Sequence, residues 1–320
     1  MKNLVAVTGA GGFIGHWLVR ALKQRGNYVI GIDIKKPEFS PTEADEFWFG
    51  DLRDKETAKR LLKDVDQVYA LAADVGGVGH LSRWNYEILK NNLEIDSNTL
   101  QAVLEGKPKR ILFTSSACVY PQYLQNKEGD HTLLKEEQTH PADPEGSYGW
   151  EKLIMEQMLM HAAEEKGADV RISRFQNVYG PEETFQGGRE KVIGALCRKV
   201  VLAEDHGEID IWGDGEQRRS FCYVEDCVNA IIELMESHYT SPLNICGDSN
   251  VSIDEVAQSL AIISKKNLFL NHIQGPQGVR GRYPDNSRRK KILKWEPKIG
   301  FEEGLARTYS WVESQIMNNK

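Results

Sequence analysis

The stretch TGAGGFIG, residues 8–15, decides the fold that this sequence predicts. Gly9, Gly12 and Gly15 have the spacing G-x-x-G-x-x-G, directly after an apolar run over residues 4–8 and just before a longer amphipathic run. Glycines at such a strand-to-helix turn allow a tight turn, the approach of a pyrophosphate to the backbone and close helix–strand packing. The helix N-terminus then offers free N–H groups to the phosphates. The stretch therefore predicts a dinucleotide site, and the alternative is a glycine-rich turn that binds nothing.

A carboxylate after the second apolar run indicates which dinucleotide binds. Asp33 ends the apolar run over residues 28–33. It can accept hydrogen bonds from both ribose hydroxyls of NAD, and its negative charge would repel the 2′-phosphate of NADP. Lys35 and Lys36 follow it and weaken that exclusion. We therefore predict NAD as the cofactor.

The adenine end of this cofactor is expected near FGDLRD, residues 49–54. Asp51 can accept a hydrogen bond from the adenine amino group while Leu52 packs on the ring, and the alternative for Asp51 is a helix N-cap. The small Ala72, at the end of a predicted strand, would let the cofactor lie close to the backbone. The complete set of expected cofactor contacts is Gly9, Gly12, Phe13, Ile14, Gly15, Asp33, Asp51, Leu52, Ala72, Tyr148 and Lys152.

Short apolar runs alternate with longer amphipathic ones through the first half of the chain. This alternation predicts an α/β fold, a Rossmann-type doubly wound parallel sheet with a smaller C-terminal substrate domain. After Gly180-Pro181 the pattern loosens, so an irregular second half is expected. The expected division is residues 1–175 for NAD binding and residues 176–320 mainly for substrate, with a segment near 220–245 returning to the first domain. The runs that predict strands cover residues 4–8, 28–33, 67–72, 110–115 and 169–175.

Composition and charge argue against several classes of protein. The chain has 320 residues and a formal net charge of −7, whereas proteins that bind nucleic acid usually carry a basic balance. Five scattered cysteines do not suggest a disulfide framework, and Cys222 and Cys227 lack the second pair of a structural zinc site, so no metal is expected. No stretch approaches about 18 consecutive apolar residues, so no membrane span is expected. The sequence starts directly in a strand pattern without a leader, which favours the cytoplasm.

The segment SYGWEK, residues 147–152, puts Tyr148 and Lys152 four residues apart on one predicted helix face. An ammonium group near a phenol lowers the pKa of the phenol, and bound NAD⁺ adds positive charge. Tyr148 is therefore expected to act as general base on a hydroxyl that is oxidised, and Lys152 also to hold the nicotinamide ribose. Ser116, at the end of the preceding strand, would hydrogen-bond the same hydroxyl. The alternative is a surface pair on a helix.

Five segments carry a resemblance to a known family. They are TGAGGFIG, SSACVYP, YGWEK, RFQNVYGP and WGDGEQRRSF. With these motifs the sequence resembles the extended short-chain dehydrogenase/reductase family, whose members act on nucleotide sugars. The resemblance covers nearly the whole chain and implies transient oxidation of the sugar by tightly held NAD. In that family a 4,6-dehydratase typically carries Asp-Glu after the catalytic Ser or Thr and a 4-epimerase Ala-Thr, whereas this chain has Ala117-Cys118.

Cys118 and Lys191 point to inversion at carbon. A ketone at C4 acidifies the protons on C3 and C5, and inversion needs one group to remove a proton and another to deliver one to the opposite face. A cysteine can remove it when a nearby cation stabilises the thiolate, and Lys191 in GGREK, residues 187–191, can serve opposite. Alternatively, Cys118 is a small packed residue and Lys191 a solvated surface lysine.

The segments AADVGGVG, GGREK and GPQGVRGR resemble the branch of the family that inverts C3 and C5 of GDP-mannose. The resemblance implies GDP-mannose as substrate and GDP-L-galactose as product, with GDP-L-gulose when only C5 is inverted. It also suggests a homodimer that packs two helices from each subunit, over residues 85–104 and 148–166. Arg219 and Arg280 can grip a diphosphate by paired hydrogen bonds, although Arg219 can also form a surface ion pair. The residues implied to contact the substrate are Gly76, Ser116, Cys118, Asn177, Glu190, Lys191, Lys199, Gln217, Arg219 and Arg280.

Some residues expected near the sugar differ from that branch. Its plant members have methionines where this chain has Val75 and Val78, and phenylalanine where it has His80. A related GDP-hexose or a heptose therefore stays open as the substrate. A UDP-sugar 4-epimerase, which needs neither Cys118 nor Lys191, stays open too, as does a non-catalytic NAD-sensing protein on the same fold.

Overall fold

The computed structural model describes residues 3–106, 108, 110–126, 129 and 131–318. Its strands, in chain order, are β1 (Leu4–Thr8), β2 (Tyr28–Asp33), β3 (Glu46–Phe49), β4 (Gln67–Ala70), β5 (Arg110–Ser116), β6 (Leu133–Leu134), β7 (Val170–Phe175), β8 (Asn177–Tyr179), β9 (Glu208–Trp212), β10 (Arg218–Tyr223), β11 (Pro242–Ile245), β12 (Asn250–Ser252), β13 (Phe269–Ile273) and β14 (Tyr283–Pro284). Its α-helices are α1 (Phe13–Gln24), α2 (Lys55–Leu62), α3 (Val78–Arg83), α4 (Asn85–Glu105), α5 (Gly146–Lys166), α6 (Val192–Leu202), α7 (Val224–Glu236), α8 (Ile253–Ser264), α9 (Ser287–Leu293) and α10 (Phe301–Asn318). None of the helices in this part of the chain combines the length and the apolar composition that a bilayer crossing requires.

Seven of these strands form one parallel sheet in the order β3-β2-β1-β4-β5-β7-β11. The strand order changes direction between β1 and β4. In sheets of this kind, ligands bind outside the carboxyl ends of the strands at such a switch point. The predicted doubly wound parallel sheet is therefore confirmed, and its switch point lies beside the glycine-rich turn that follows β1.

The strands of this sheet are short and apolar because helices cover both of its faces. On one face α1 packs against α7, and on the other α4 packs against α2 and α5. Val5 and Val7 of β1 belong to the first core and Ala6 to the second, as the alternation of side chains along a strand requires. With both faces covered, a ligand reaches the sheet at the carboxyl ends of its strands.

The second half of the chain is more regular than its sequence suggested. The helices α6, α8 and α10 pack around a third apolar core that includes Ile211 and Phe221. From the same half, α7 packs on α1 and β11 pairs with β7 in the main sheet. The expectation of an irregular second half is wrong, because the Gly and Pro signals mark loops between regular elements. The domain boundary near residue 175 stays a prediction.

Two strand ends differ from the expected ones. β4 ends at Ala70 rather than at residue 72. The backbone N–H groups of Leu71 and Ala72 donate to the Thr8 hydroxyl, at 3.1 and 3.2 Å, and so leave the strand ladder. β5 continues one residue further than expected, to Ser116. Ala72 therefore belongs to the loop at the switch point rather than to a strand.

Candidate active site

A cavity of about 1490 Å³ opens at the carboxyl ends of the sheet strands. Pockets for one small ligand usually measure roughly 300–1,000 Å³, so this cavity can hold a dinucleotide and a second ligand side by side. Of the residues predicted to contact cofactor or substrate, all line the cavity except Lys152 and Arg280. The structure thus brings most of the predicted site together around one space.

The glycine-rich turn after β1 forms the cofactor end of this cavity. Gly9 has a φ of +71°, and a Cβ atom on Gly15 would lie 2.1 Å from the Gly9 carbonyl oxygen. Both positions therefore require glycine. α1 begins after Gly12 without a side-chain cap, so its first N–H groups, beside the cavity, have no partner from the helix itself. This geometry fits the diphosphate of NAD.

Asp33 lies at the carboxyl end of β2, beside the same turn. Its carboxylate accepts hydrogen bonds from the backbone N–H groups of Gly11 at 2.9 Å and of Ile34 at 2.7 Å. Burial raises the pKa of this carboxyl, although the backbone N–H groups oppose the shift. The carboxylate is thus held on the cavity wall where the ribose hydroxyls of NAD are expected, so the residues present fit this cofactor.

Asp51 and Leu52 line the expected adenine end. Both oxygens of Asp51 pair with the Arg53 guanidinium, the shortest contact being 2.6 Å. The N-cap of α2 is Asp54, whose side chain accepts from the Thr57 N–H at 2.8 Å. The capping alternative for Asp51 is therefore wrong. A carboxylate has further lone pairs, so Asp51 keeps the capacity to accept a bond from adenine.

Tyr148 lies on the cavity wall, whereas Lys152 lies behind it. Lys152 is 1% exposed, and its Nζ donates to Asp96 Oδ2 at 2.9 Å. Burial raises the pKa of Tyr148 well above its ordinary value, and the Lys152 charge only partly opposes this. Lys152 thus acts on the pKa of Tyr148 in the expected direction, but in the protein without NAD burial raises that pKa by more than the lysine lowers it.

Cys118 sits in a 3₁₀ turn, Ala117–Val119, directly after β5. Its thiol donates to Glu145 Oε2 at 3.6 Å, and Arg282 Nη1 lies 3.8 Å from the sulfur. Burial and the Glu145 charge raise the pKa of the thiol, and Arg282 lowers it by less. The expected cation is present, but burial and the Glu145 carboxylate, which pairs with that cation at 2.5 Å, outweigh its effect on the pKa of the thiol.

Lys191 lines the cavity near a second buried carboxyl group. Burial lowers the pKa of the Lys191 ammonium, and the charge of Glu183 opposes this. Glu183 is 3% exposed, and its Oε1 has no hydrogen-bond partner among the described residues. Burial raises the pKa of Glu183 to about 8. Burial thus shifts the two groups in different directions, Cys118 towards its protonated form and Lys191 towards its neutral form.

The remaining polar contacts predicted for the substrate line the same cavity. Hydrogen bonds with the backbone hold Asn177, Glu190 and Lys199. Gln217 donates to the Trp212 carbonyl at 3.0 Å, and its buried Oε1 has no partner in the described part of the chain. A buried acceptor of this kind suits a ligand hydroxyl.

Arg219 and Arg282 are the buried arginines among the described residues that line the cavity. Burial lowers the pKa of Arg219 to about 10. Arg280 pairs instead with Asp214 at 2.7 Å and does not line the cavity, so the prediction for Arg280 is not supported by its position. The GVRGR segment offered two arginines, and its sequence did not indicate which of them faces the site.

Sequence reasoning missed four further residues of the site. Asp96, Glu145 and Glu183 place carboxyl groups beside Lys152, Cys118 and Lys191, and Arg282 lies beside the thiol. Three of these pairings join residues 27 to 164 positions apart. No local pattern could have indicated them.

Comparison with known proteins identifies the family. Residues 5–246 match the model of the NAD dependent epimerase/dehydratase family. This chain belongs to that family, and its cofactor is NAD. The chain is similar to GDP-mannose 3,5-epimerase of Arabidopsis thaliana, with 41% identity over 322 residues, 100% of this chain and 85% of that protein.

Solved structures agree with this assignment. UDP-glucose 4-epimerase of Thermotoga maritima, solved with UDP-glucose, is 26% identical, with a TM-score of 0.87 over 98% of this chain and 99% of that one. MoeE5 in complex with UDP-glucuronic acid and NAD is 27% identical, with a TM-score of 0.82 over 97% of this chain and 99% of that one. The fold and the cofactor are therefore those of the family.

Proposed function

We propose that this chain is an isomerase, a nucleotide-sugar epimerase that inverts C3 and C5 of GDP-mannose to give GDP-L-galactose, or GDP-L-gulose when only C5 is inverted. The observation that carries the proposal is the presence of Tyr148, Cys118 and Lys191 in one cavity. The Cys118 thiol lies close enough to both other groups to influence their pKa values. The similarity to GDP-mannose 3,5-epimerase along the whole chain supports this function.

Tyr148 and Ser116 would act on the hydroxyl at C4. Bound NAD supplies the acceptor, and later the donor, of the hydride at that carbon. Tyr148 would take the hydroxyl proton and return it at the end. The Ser116 hydroxyl accepts from the Cys118 N–H at 3.1 Å, which leaves its own proton for the substrate oxygen.

The surroundings of Cys118 and Lys191 support a direction for the proton transfers. Burial and Glu145 favour the Cys118 thiol, and burial favours the neutral Lys191 amine. We propose that Lys191 removes the carbon protons made acidic by the C4 ketone, and that Cys118 delivers the new proton. This reverses the role first expected for the cysteine, because its thiol carries the proton.

Arg219 and Arg282 would hold the diphosphate of the substrate. Guanidinium groups bind phosphate oxygens by paired hydrogen bonds. Arg282 is now paired with Glu145, which would have to share it with the diphosphate. We therefore expect Arg282→Ala to raise KM more than Arg280→Ala, since Arg280 is occupied by Asp214 outside the cavity.

Incubation of the purified protein with GDP-mannose in deuterium oxide tests the proposed function. We expect deuterium at C3 and C5 and a product with the galacto or gulo configuration, read by NMR and mass. Turnover of a UDP-sugar with inversion at C4 and no carbon-bound deuterium would favour the 4-epimerase instead. Turnover of another GDP-sugar with deuterium at both carbons would keep the reaction and change the substrate.

We also propose that α4 and α5 form the interface of a homodimer. The two helices pack together, and they expose Tyr86, Trp150, Ile154 and Met158. Apolar side chains grouped on a surface indicate a contact site. Light scattering should give twice the mass of one chain, and Ile154→Lys should reduce it to that of one chain.

We also propose a division of the chain into two domains. We propose that residues 1–175 bind NAD and that residues 176–320 mainly bind the sugar nucleotide, apart from the segment near 220–245.

The cysteines bear on the compartment. Five of them are free thiols: Cys118, Cys197, Cys222, Cys227 and Cys246. A mechanism that needs a free thiol suits the reducing cytoplasm, which we propose as the compartment.

A further inference from the structure

Three ionisable side chains form a buried cluster behind Tyr148. Lys152 is 1% exposed, Asp96 of α4 is 4% exposed and Glu151 of α5 is 0% exposed. The Lys152 Nζ donates to Asp96 Oδ2 at 2.9 Å and lies 3.4 Å from Glu151 Oε2. It also lies 5.7 Å from the centre of the Tyr148 ring. The cluster therefore sits directly against the phenol that is proposed to act as base.

The cluster has one cation for two carboxyl groups. A buried charge is stable only when it is paired and hydrogen-bonded. Asp96 meets this condition through Lys152, whereas neither carboxyl oxygen of Glu151 has a hydrogen-bond partner within the described residues. Burial raises the pKa of Glu151 to about 9. Lys152 is thus paired with Asp96, whereas Glu151 favours its protonated form.

We propose that Asp96 is a positioning residue for Tyr148 that acts through Lys152, with Glu151, whose Oε2 lies 3.4 Å from the same ammonium, as a reserve counter-ion. By pairing with the ammonium, Asp96 cancels much of the positive charge that would otherwise favour a Tyr148 phenolate. If Asp96 lost its charge, Glu151 could release its proton and pair with Lys152 in its place.

The charges around Tyr148 come from several elements. Those that act on it are Lys152 and Glu151 of α5, Asp96 of α4 and Cys118 after β5. One turn further along α5, Glu156 pairs with Arg174 of β7 at 2.6 and 2.9 Å. That second buried pair also bonds Ser115 and Tyr120, is not among the charges that act on Tyr148, and serves as a matched control.

The consequence for the reaction rests on the proposed role of Tyr148. Tyr148 must be a phenolate to take the proton of the C4 hydroxyl, and a raised pKa makes that form harder to reach but makes Tyr148 hold the proton more firmly while C3 and C5 are inverted. It can then return that proton in the last step. Asp96 would thus favour completion of the cycle over release of a ketone.

The test is a titration of Tyr148 in the NAD-loaded protein, which needs no sugar and is therefore independent of the substrate. The phenolate absorbance of each variant is measured against pH, with Tyr148→Phe subtracted as background. We expect Asp96→Asn/Glu151→Gln to lower the Tyr148 midpoint by about one to two pH units, the usual size of a close charge effect. Asp96→Asn alone should lower it less, since Glu151 takes over.

Two further variants keep the proposal open to contradiction if the double variant does not fold. Below pH 9, Glu151→Gln replaces a neutral acid by a neutral amide, so the melting temperature there should stay close to that of the parent. Above pH 9 it removes a carboxylate from the cluster, so it should lower the Tyr148 midpoint by less than the double variant does. Glu156→Gln should leave the Tyr148 midpoint unchanged. An unchanged midpoint in a folded double variant, or a midpoint in Glu151→Gln alone as low as that of the double variant, would overturn the proposal.

Discussion

The two ends of the cavity are built in different ways. At the cofactor end, the turn at Gly9 and Gly15 and the N–H groups around Asp33 form a cradle of backbone atoms. At the substrate end, side chains rather than backbone atoms form the site. Each group that is proposed to transfer protons has a carboxyl group nearby. Tyr148 has Asp96 behind Lys152, Cys118 has Glu145, and Lys191 has Glu183. Binding at the cofactor end therefore depends on the shape of the backbone, whereas proton transfer at the substrate end depends on the balance of nearby charges.

Among the variants that test this difference between the two ends, Tyr148→Phe should have the largest effect on turnover. Removal of the phenol takes away the proposed general base at C4, and such groups contribute about 10²- to 10⁴-fold to rate. We expect turnover of the nucleotide sugar to fall by that factor while NAD binding is kept, because the backbone cradle is untouched. Tyr123→Phe, at an exposed tyrosine, is the control. Equal loss of NAD binding would show that the two ends are not separable.

Lys191→Met should separate oxidation at C4 from proton exchange at C3 and C5. Solvent deuterium at C3 and C5 should fall by about 10²-fold or more, because the proposed proton acceptor is gone. Oxidation at C4 should persist and be visible as reduced cofactor when sugar is added. Lys166→Met, at the exposed end of α5, controls for loss of a positive charge. Undiminished exchange in Lys191→Met would assign proton removal to another group.

Gly15→Ala, at the cofactor end, should weaken binding of the cofactor and leave the proposed proton transfers at C3 and C5 intact. The new Cβ atom would lie 2.1 Å from the Gly9 carbonyl oxygen, so the turn must shift. Overpacking of this kind costs about 1–3 kcal/mol. Since 1.4 kcal/mol corresponds to a tenfold change in affinity, we expect NAD affinity to fall by about tenfold to a hundredfold. Excess NAD should restore the deuterium exchange at C3 and C5. Gly300→Ala, where nothing lies within 4 Å, should bind NAD normally.

The same contrast explains how much of this protein its sequence could predict. The backbone cradle depends on neighbours in sequence: glycines in one turn, and a carboxylate at the end of the next strand. The sheet and the cofactor could therefore be predicted. The charge balance depends on contacts such as Cys118 with Arg282, which the fold brings together from distant segments. Tyr148, Cys118 and Lys191 were predicted as candidates, but the forms they favour were not, because burial and remote carboxyl groups determine them.

The last expected effect is on stability rather than on turnover, and Glu183 controls it. Burial raises its pKa in the folded chain to about 8, whereas the unfolded value is about 4.3. Between these values the folded state binds a proton that the unfolded state has released, so the free energy of unfolding falls as pH rises. The slope is at most about 1.4 kcal/mol per pH unit for one group.

Glu183→Gln removes this titration, because the amide stays neutral at every pH. Relative to the parent, the variant should be similarly stable near pH 4 and should gain stability progressively as pH rises from about 5 to about 8. Chemical denaturation at a series of pH values measures the difference. Parallel stability curves for the two proteins would mean that Glu183 is ionised in the folded state. In that case Lys191 would be its charged partner, and the assignment of a neutral Lys191 as proton acceptor would fail with it.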